Sequence, residues 1–461
     1  MLLRSALVAG AITTLGCQTN PWDVAVDPRA GADGSVVEVP GSVASDSPVE
    51  AAVQVPSPTG DLALADALAL AVVHHPGLRA YAMDRRAAEA AAIQARRWPN
   101  PELELEAENF AGTGRYAGLD AIETTLSLAQ TIPLGGDLDR RGDVAAADTQ
   151  LAEWDYQVAR LEVLLDTTQR FIAAVAAGRR IELAERELAL AESVRDLTRQ
   201  RVEAGDAAPV EMARVVVPVV EAQVALQRAR RERDAAHQRL AMTWGSRTVT
   251  FAGVSGPLET LASPPQPARL VERINRSPQV ARWATQVSAY RARSRLAEAE
   301  AQPDLTGRLG LRYDNDESDV ALVAGLSLPL PLWDTRQGEV LSARWGAASA
   351  VERQREAALR LESMLSEAWA ELAGAYDEAI ALQERALPAA TQAYDATRRA
   401  FEQGQMPFLD VLDAQRTLFD LQARYVDTLI AYHAAVAEIE SLIGQPLTDL
   451  DHDTPSQEHT P

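Results

Sequence analysis

The feature that most constrains this chain is an internal duplication. His75-Pro76 recurs as Ser277-Pro278, Pro101-Glu102-Leu103 as Pro303-Asp304-Leu305, Leu126-Ser127-Leu128 as Leu326-Ser327-Leu328, and Ile132-Pro133-Leu134 as Leu330-Pro331-Leu332. Gly205 and Gln223 recur as Gly404 and Gln422. Five anchors in order, at an offset of about 200 residues, make the body from Leu62 to Leu447 one unit written twice. It is read as two repeats, residues 61–250 and 263–447, rather than the three domains that 461 residues would suggest.

Within each unit the hydrophobic period changes twice. Helical stretches at Pro76 to Arg97 and Pro278 to Ala301 give way to alternation of period two. In the first copy Leu103 and Leu105, then Ile122, Thr124, Leu126 and Leu128, share a face. In the second the sets are Leu305, Gly307, Leu309, Leu311, Tyr313 and Val320, Leu322, Ala324, Leu326, Leu328. The pattern predicts two strands per unit, joined by turns rich in Gly, Asp and Asn. Helix then resumes. Leu134 to Ala208 holds no proline, and its Ala, Leu, Glu and Arg content favours helix throughout. Such a helix would reach about 100 Å at ~1.5 Å per residue. A second helix is expected from Pro209 to Trp244. Its copy-two counterpart carries a heptad seam through Val411, Leu418, Tyr425, Tyr432 and Ile439, with Leu412, Phe419 and Val426 beside it. Pro388 should kink the long helix of copy two, where Ala189 holds the aligned place in copy one.

Four strands with one apolar face cannot close a barrel, so the chain is expected to oligomerise. Two copies would give eight strands and a filled lumen, three would give twelve and an open one. The strand segments have the length that crosses an outer membrane when tilted; in water the same alternation would face a helix layer instead.

Charge and cysteine content narrow the function. With 66 acidic against 44 basic side chains, all of them arginine, the net charge is −22, which repels phosphate backbones and excludes a nucleic-acid partner. A single cysteine cannot pair within the chain, and no Cys/His cluster has zinc-ligand spacing. Arg4, the apolar run Ser5 to Leu15, then Gly16 and Cys17 form a secretory signal too short to span a bilayer as a helix. The small residue before Cys17 resembles the bacterial lipoprotein box, so Cys17 is expected to become the lipidated N-terminus after removal of residues 1–16. Residues 17–60 then read as the acylated start and a flexible tether, and 448–461 as a disordered tail.

Gly404-Gln-Met-Pro-Phe-Leu-Asp410-Val-Leu-Asp413-Ala414-Gln415, together with Ile132-Pro-Leu-Gly-Gly136 and Leu328-Pro-Leu-Pro-Leu-Trp333, resembles the TolC-like outer membrane factors, closest to the branch that exports heavy-metal cations. The resemblance covers essentially the whole body. It implies a mainly α fold with membrane β: a helix-strand-strand-helix unit, duplicated, forming as a homotrimer a 12-stranded β-barrel continued by a long α-helical coiled-coil barrel, with a mixed equatorial region. It also implies a passive conduit held in outer membrane lipid, coupled through a periplasmic adaptor to a proton-driven inner-membrane pump. The adaptor would meet the hairpin tips around Gly205, Pro209, Gly404 and Pro407.

Asp410 and Asp413, three apart, share a helix face, and a threefold axis would gather six carboxylates into a cation-selecting ring at the periplasmic entrance. The plainer reading is that Pro407 occupies a first helical turn, where carboxylates are stabilising anyway. Glu211 and Arg214 align with Asp410 and Asp413, which makes Arg214 a candidate salt-bridge partner holding the entrance closed. Phe401 and Met406 stand where the family carries its helix-bridging tip residues.

Little else suggests chemistry. His74-His75 lies at an element boundary, and His237 and His433 read as isolated surface or seam positions on helices. Trp98, Trp333 and Tyr116 lie near strand ends, where aromatic belts sit. There is no phosphate loop, no G-x-S-x-G and no H-E-x-x-H, so neither an enzyme nor a cofactor is expected. The competing readings are drug efflux or type I secretion through the same conduit, and a membrane-tethered periplasmic coiled-coil scaffold without a pore.

Overall fold

A computed structural model describes residues 57–450. Cys17, the signal, the tether up to residue 56 and residues 451–461 lie outside the described residues. The elements run β1 (Asp61–Leu62), α1 (Leu64–His74), α2 (Pro76–Ala95), β2 (Glu102–Glu108), β3 (Glu123–Ile132), α3 (Asp137–Ala204) and α4 (Pro209–Met242). They continue with β4 (Gly253–Val254), α5 (Pro267–Ile274), α6 (Pro278–Glu300), β5 (Leu305–Asp314), β6 (Asp319–Ser327), α7 (Gln337–Ala381), α8 (Leu387–Glu402) and α9 (Phe408–Ile443). Helix, two strands, a very long helix and a shorter one thus occur twice in order.

The four long strands form one antiparallel sheet in the order β2-β3-β5-β6, joining the two repeats through the β3–β5 pair. Register follows the period-two pattern: Leu103 opposes Leu128, Leu105 opposes Leu126, Leu126 opposes Leu311, and Leu311 opposes Leu322. These leucines make one continuous exposed apolar face, with Leu103 at 72% and Leu322 at 70% exposure. The opposite face is charged. Arg308 reaches across β3 to Glu104 at 2.9 Å, and Arg312 pairs with Glu123 at 3.0 Å and Glu108 at 3.7 Å. Gly310 lies between the two arginines because nothing larger fits: a Cβ there would meet the Leu126 carbonyl oxygen and the Ser127 Cβ, each at 2.6 Å. Outer edges β2 and β6 carry no strand partner among the described residues.

Helix α3 spans 68 residues, about 100 Å at ~1.5 Å per residue. Its counterpart runs unbroken from Gln337 to Glu402, through Pro388. A π-helical turn, Leu382–Ala386, immediately precedes the α8 segment that contains it. Proline removes its own N–H and crowds the carbonyl four residues back, and one widened turn relieves both. Pro218 sits inside α4 without ending it. Laterally, α3 packs on α4 along one flank and α9 along the other, and α9 packs on α7 and α8, leaving α4 and α7 as the outer flanks. The expected seam is present, with Val411, Leu418, Tyr432 and Ile439 buried and Tyr425 packed at its edge.

Midway along, a compact layer is strapped onto the helices. The parallel pair β1–β4 and α1 cover Phe171, Leu240, Trp244, Phe251, Leu258 and Leu429, while α5 covers Leu372, Tyr432 and Ile439. The strap from Leu258 to Pro265 is pinned by side chains. Tyr432 Oη donates to the carbonyl of Ala262 and accepts from its N–H, both at 2.8 Å, and Trp369 Nε1 donates to the Pro265 carbonyl at 2.9 Å. Both helix histidines belong here rather than to the surface. His237 is buried against Phe251, ring centroids 5.1 Å apart, and His433 Nε2 lies 2.8 Å from the Leu258 carbonyl. Burial lowers the pKa of each. His75 is a helix cap, its Nδ1 accepting from the N–H groups of Gly77 and Leu78.

Candidate functional site

The site begins at the two hairpin tips, which the duplication builds identically. Gly205 and Gly404 hold left-handed backbone, φ +83° and +73°, and each closes its helix with a paired motif. Gly205 N donates to Val202 O and Asp206 N to Arg201 O; Gly404 N donates to Phe401 O and Gln405 N to Ala400 O. The next helix then starts one residue differently relative to its proline. Pro209 is the first residue of α4, whereas Pro407 is the extended cap before α9 rather than a first-turn residue. Both helices still place a carboxylate at the third position, Glu211 and Asp410.

The tips are joined through an apolar plug. Phe401, Phe408, Val411 and Val215 are buried together with Tyr394 and Val194, the two phenylalanine rings 6.3 Å apart. The guanidinium of Arg201 lies 4.8 Å from the Phe401 ring centroid. Phe401 is thus a buried plug and not an exposed bridging group, while Met406 stays exposed at the turn. Burial raises the Tyr394 hydroxyl to about 12, so it is neutral.

Around this plug the four charged candidates point outward. Asp410, Asp413 and Arg214 are exposed and Glu211 is half-buried, and none of them makes an ion pair within the described residues. Within one subunit Arg214 and Asp413 therefore occupy equivalent places without contact. Further along, Arg416 of α9 reaches Glu221 of α4 at 3.9 Å, and burial first, then Asp420 and Glu221, raise the Glu187 carboxyl of α3.

Sequence reasoning missed a pattern that the aligned helices make plain. At three equivalent places α4 carries arginine where α9 carries an acid: Arg214 and Asp413, Arg228 and Asp427, Arg239 and Glu438. The signal lies in the duplication itself, since each pair stands at the same offset as Gly205 and Gly404. No cluster of three or more metal-binding side chains is present among the described residues. Among the described residues no helix is long and apolar enough to cross a membrane.

Comparison with known proteins agrees with this geometry. The family model described as "Outer membrane efflux protein" matches residues 67–246 and again 270–445. The chain is 30% identical over 386 residues to the cobalt-zinc-cadmium resistance protein CzcC of Cupriavidus metallidurans, covering 84% of this chain and 91% of that one. It is 27% identical to the nickel-cobalt-cadmium resistance protein NccC of Alcaligenes xylosoxydans xylosoxydans, covering 68% of each. Its fold matches the solved structure of CusC, a transmembrane channel, with a TM-score of 0.73 at 16% identity, over 85% of this chain and 96% of that one. Matched twice by one family model and over most of its length by a channel fold, the chain belongs to the outer membrane efflux protein family: an outer membrane transport component, not an enzyme.

Proposed function

We propose that three copies form the outer membrane conduit of a tripartite exporter and that its cargo is heavy-metal cations. The observation that carries the conduit is the sheet: apolar on one face, charged on the other, open at β2 and β6, and continued by helices about 100 Å long. Open strand edges inside a bilayer cost several kcal/mol per unsatisfied group, and closing three sheets edge to edge satisfies them. Twelve strands leave an open lumen, and the Glu104, Glu106 and Glu108 face lines it. The cargo rests on the relatives, two of which are named for resistance to cobalt, zinc, nickel or cadmium.

The tips at Gly205, Pro209, Gly404 and Pro407 then meet a periplasmic adaptor, which couples the conduit to a proton-driven inner-membrane pump. Asp410 and Asp413 of three copies form the carboxylate ring at the entrance, with Glu211 beside it, and Arg214 of one copy closes on the acids of another. Cys17 carries the acyl anchor. The experiment is zinc, cobalt and cadmium tolerance in a host lacking its own such channel, alongside single-channel recording of the purified protein. Discrete conductance with restored tolerance supports the proposal; conductance with no gain in tolerance removes the metal cargo and leaves the conduit.

A further inference from the structure

A second charged feature lies away from the tips. A groove of about 650 Å³ between α3 and α4 is lined by four arginines, Arg180, Arg228, Arg231 and Arg239, and by one acid, Glu232. Glu232 is taken by Arg228 at 2.9 Å, and Arg180 is held from outside the groove by Asp427 of α9 at 2.5 Å. Among the described residues Arg231 and Arg239 have no ionic partner: Arg231 Nε donates only to the Gln227 carbonyl in its own helix. Two guanidiniums are thus left uncompensated in a chain whose net charge is −22.

The groove faces away from the strapped layer. Arg228 and Arg239 stand about half a turn around α4 from His237, whose ring packs on Phe251 in that layer. When the helices close into a tube with the layer outside, this side of α4 looks toward the axis, where three copies repeat it. The inward placement rests on the conduit reading above; the groove itself does not.

We propose that this groove is a binding site for a divalent tetrahedral oxyanion such as sulfate or phosphate, set in the wall of the conduit. Guanidinium groups present rigid paired donors that match two oxygens of such an anion, and the paired contact is stronger than a neutral hydrogen bond. Ala173, Ala177 and Ala235 keep the floor shallow, so the forks are not displaced by bulk. Repeated by three copies around the axis, such sites would place fixed positive charge in the wall beyond the acidic entrance.

The test uses the full-length protein with sodium sulfate, in two readouts. In planar bilayers at constant sodium concentration, sulfate titrated against chloride lowers the wild-type conductance to a saturating floor; by titration calorimetry the same protein gives a saturable heat with sulfate. R231A/R239A should raise the half-effective sulfate concentration about tenfold or more in both, equivalent to losing one good contact, and R231K/R239K should fall between. Asp427→Asn frees Arg180 into the groove and should lower it, a change of opposite sign that general damage to the fold would not produce. A conducting channel indifferent to sulfate that also gives no heat overturns the site. Saturable heat from a protein that forms no channel keeps the site and removes the conduit.

Discussion

The guanidinium of Arg201, near the end of α3, lies 4.8 Å from the centroid of the Phe401 ring near the end of α8, and its Nη1 reaches the Phe401 carbonyl at 3.5 Å. One arginine therefore joins the tips of the two repeats, whose apolar plug is otherwise held by Phe401, Phe408, Val411 and Val215. A cation over an aromatic face contributes about 0.5 to 2 kcal/mol, depending on how far water is excluded. Arg201→Ala should leave the thermal unfolding midpoint nearly unchanged but raise the basal single-channel conductance. Phe401→Ala removes a ring that is 1% exposed and should cost about 3 to 5 kcal/mol in the tip, read as faster amide exchange over α8 and the start of α9.

The carboxylate ring gives a selectivity prediction. Asp410→Asn with Asp413→Asn should shift the reversal potential in a salt gradient toward that of a non-selective pore, with little change in yield, since both side chains are exposed and unpaired. Arg214→Ala should increase conductance. An unchanged reversal potential in the double variant would move the selective element away from the entrance.

Two consecutive residues of β6 face opposite ways and test which face meets lipid. Leu322 opposes Leu311 on the apolar face, and Val323 opposes Gly310 on the charged one. Leu322→Arg should cost about 2 to 4 kcal/mol near the membrane midplane and abolish assembly in the outer membrane. Val323→Arg should assemble and alter only conductance. Heat-resistant oligomer in membrane extracts reads both, and equal behaviour of the two would mean that the face assignment is wrong.

Glu440 provides a pH prediction in the strapped layer. Burial is the main cause of its raised pKa, and Asp449 adds to it. The Leu447 N–H that donates to Oε1 at 2.9 Å opposes them, for a result of about 7 against 4.5. The folded state then holds a proton that the unfolded chain has released, so stability falls as pH rises between about 4.5 and 7. Burial of Glu187 and Glu438 acts in the same direction. Glu440→Gln keeps an acceptor for Leu447 and should raise the unfolding midpoint at pH 7.5 with little effect at pH 5; a shift of equal size at both would show that the carboxyl is neutral in neither or both.

Much of this architecture is legible in the chain because its cause is periodic. Leu103, Leu126, Leu311 and Leu322 declare strand and face by alternation, and the register of the sheet follows from it. The heptad seam from Val411 to Ile439 is equally plain. What failed to show was settled by single local contacts. The strap around Leu258 and Ala262 has no period, and its place is fixed by Tyr432, Trp369 and His433 from distant helices. Pro388 signals a disturbance but not its form, since nothing in the segment spells out that a π turn relieves the clash. At the tips the glycines and acids were legible, but the Arg201–Phe401 contact spans the two copies, and no spacing within either one encodes it.

The most direct measurement of the central claim is the mass of the purified protein in detergent, followed by its conductance in a lipid bilayer. The account predicts a particle of three copies, resistant to dissociation until heated, that opens discrete aqueous channels. A single folded copy, stable in detergent-free buffer and silent in the bilayer, would contradict it.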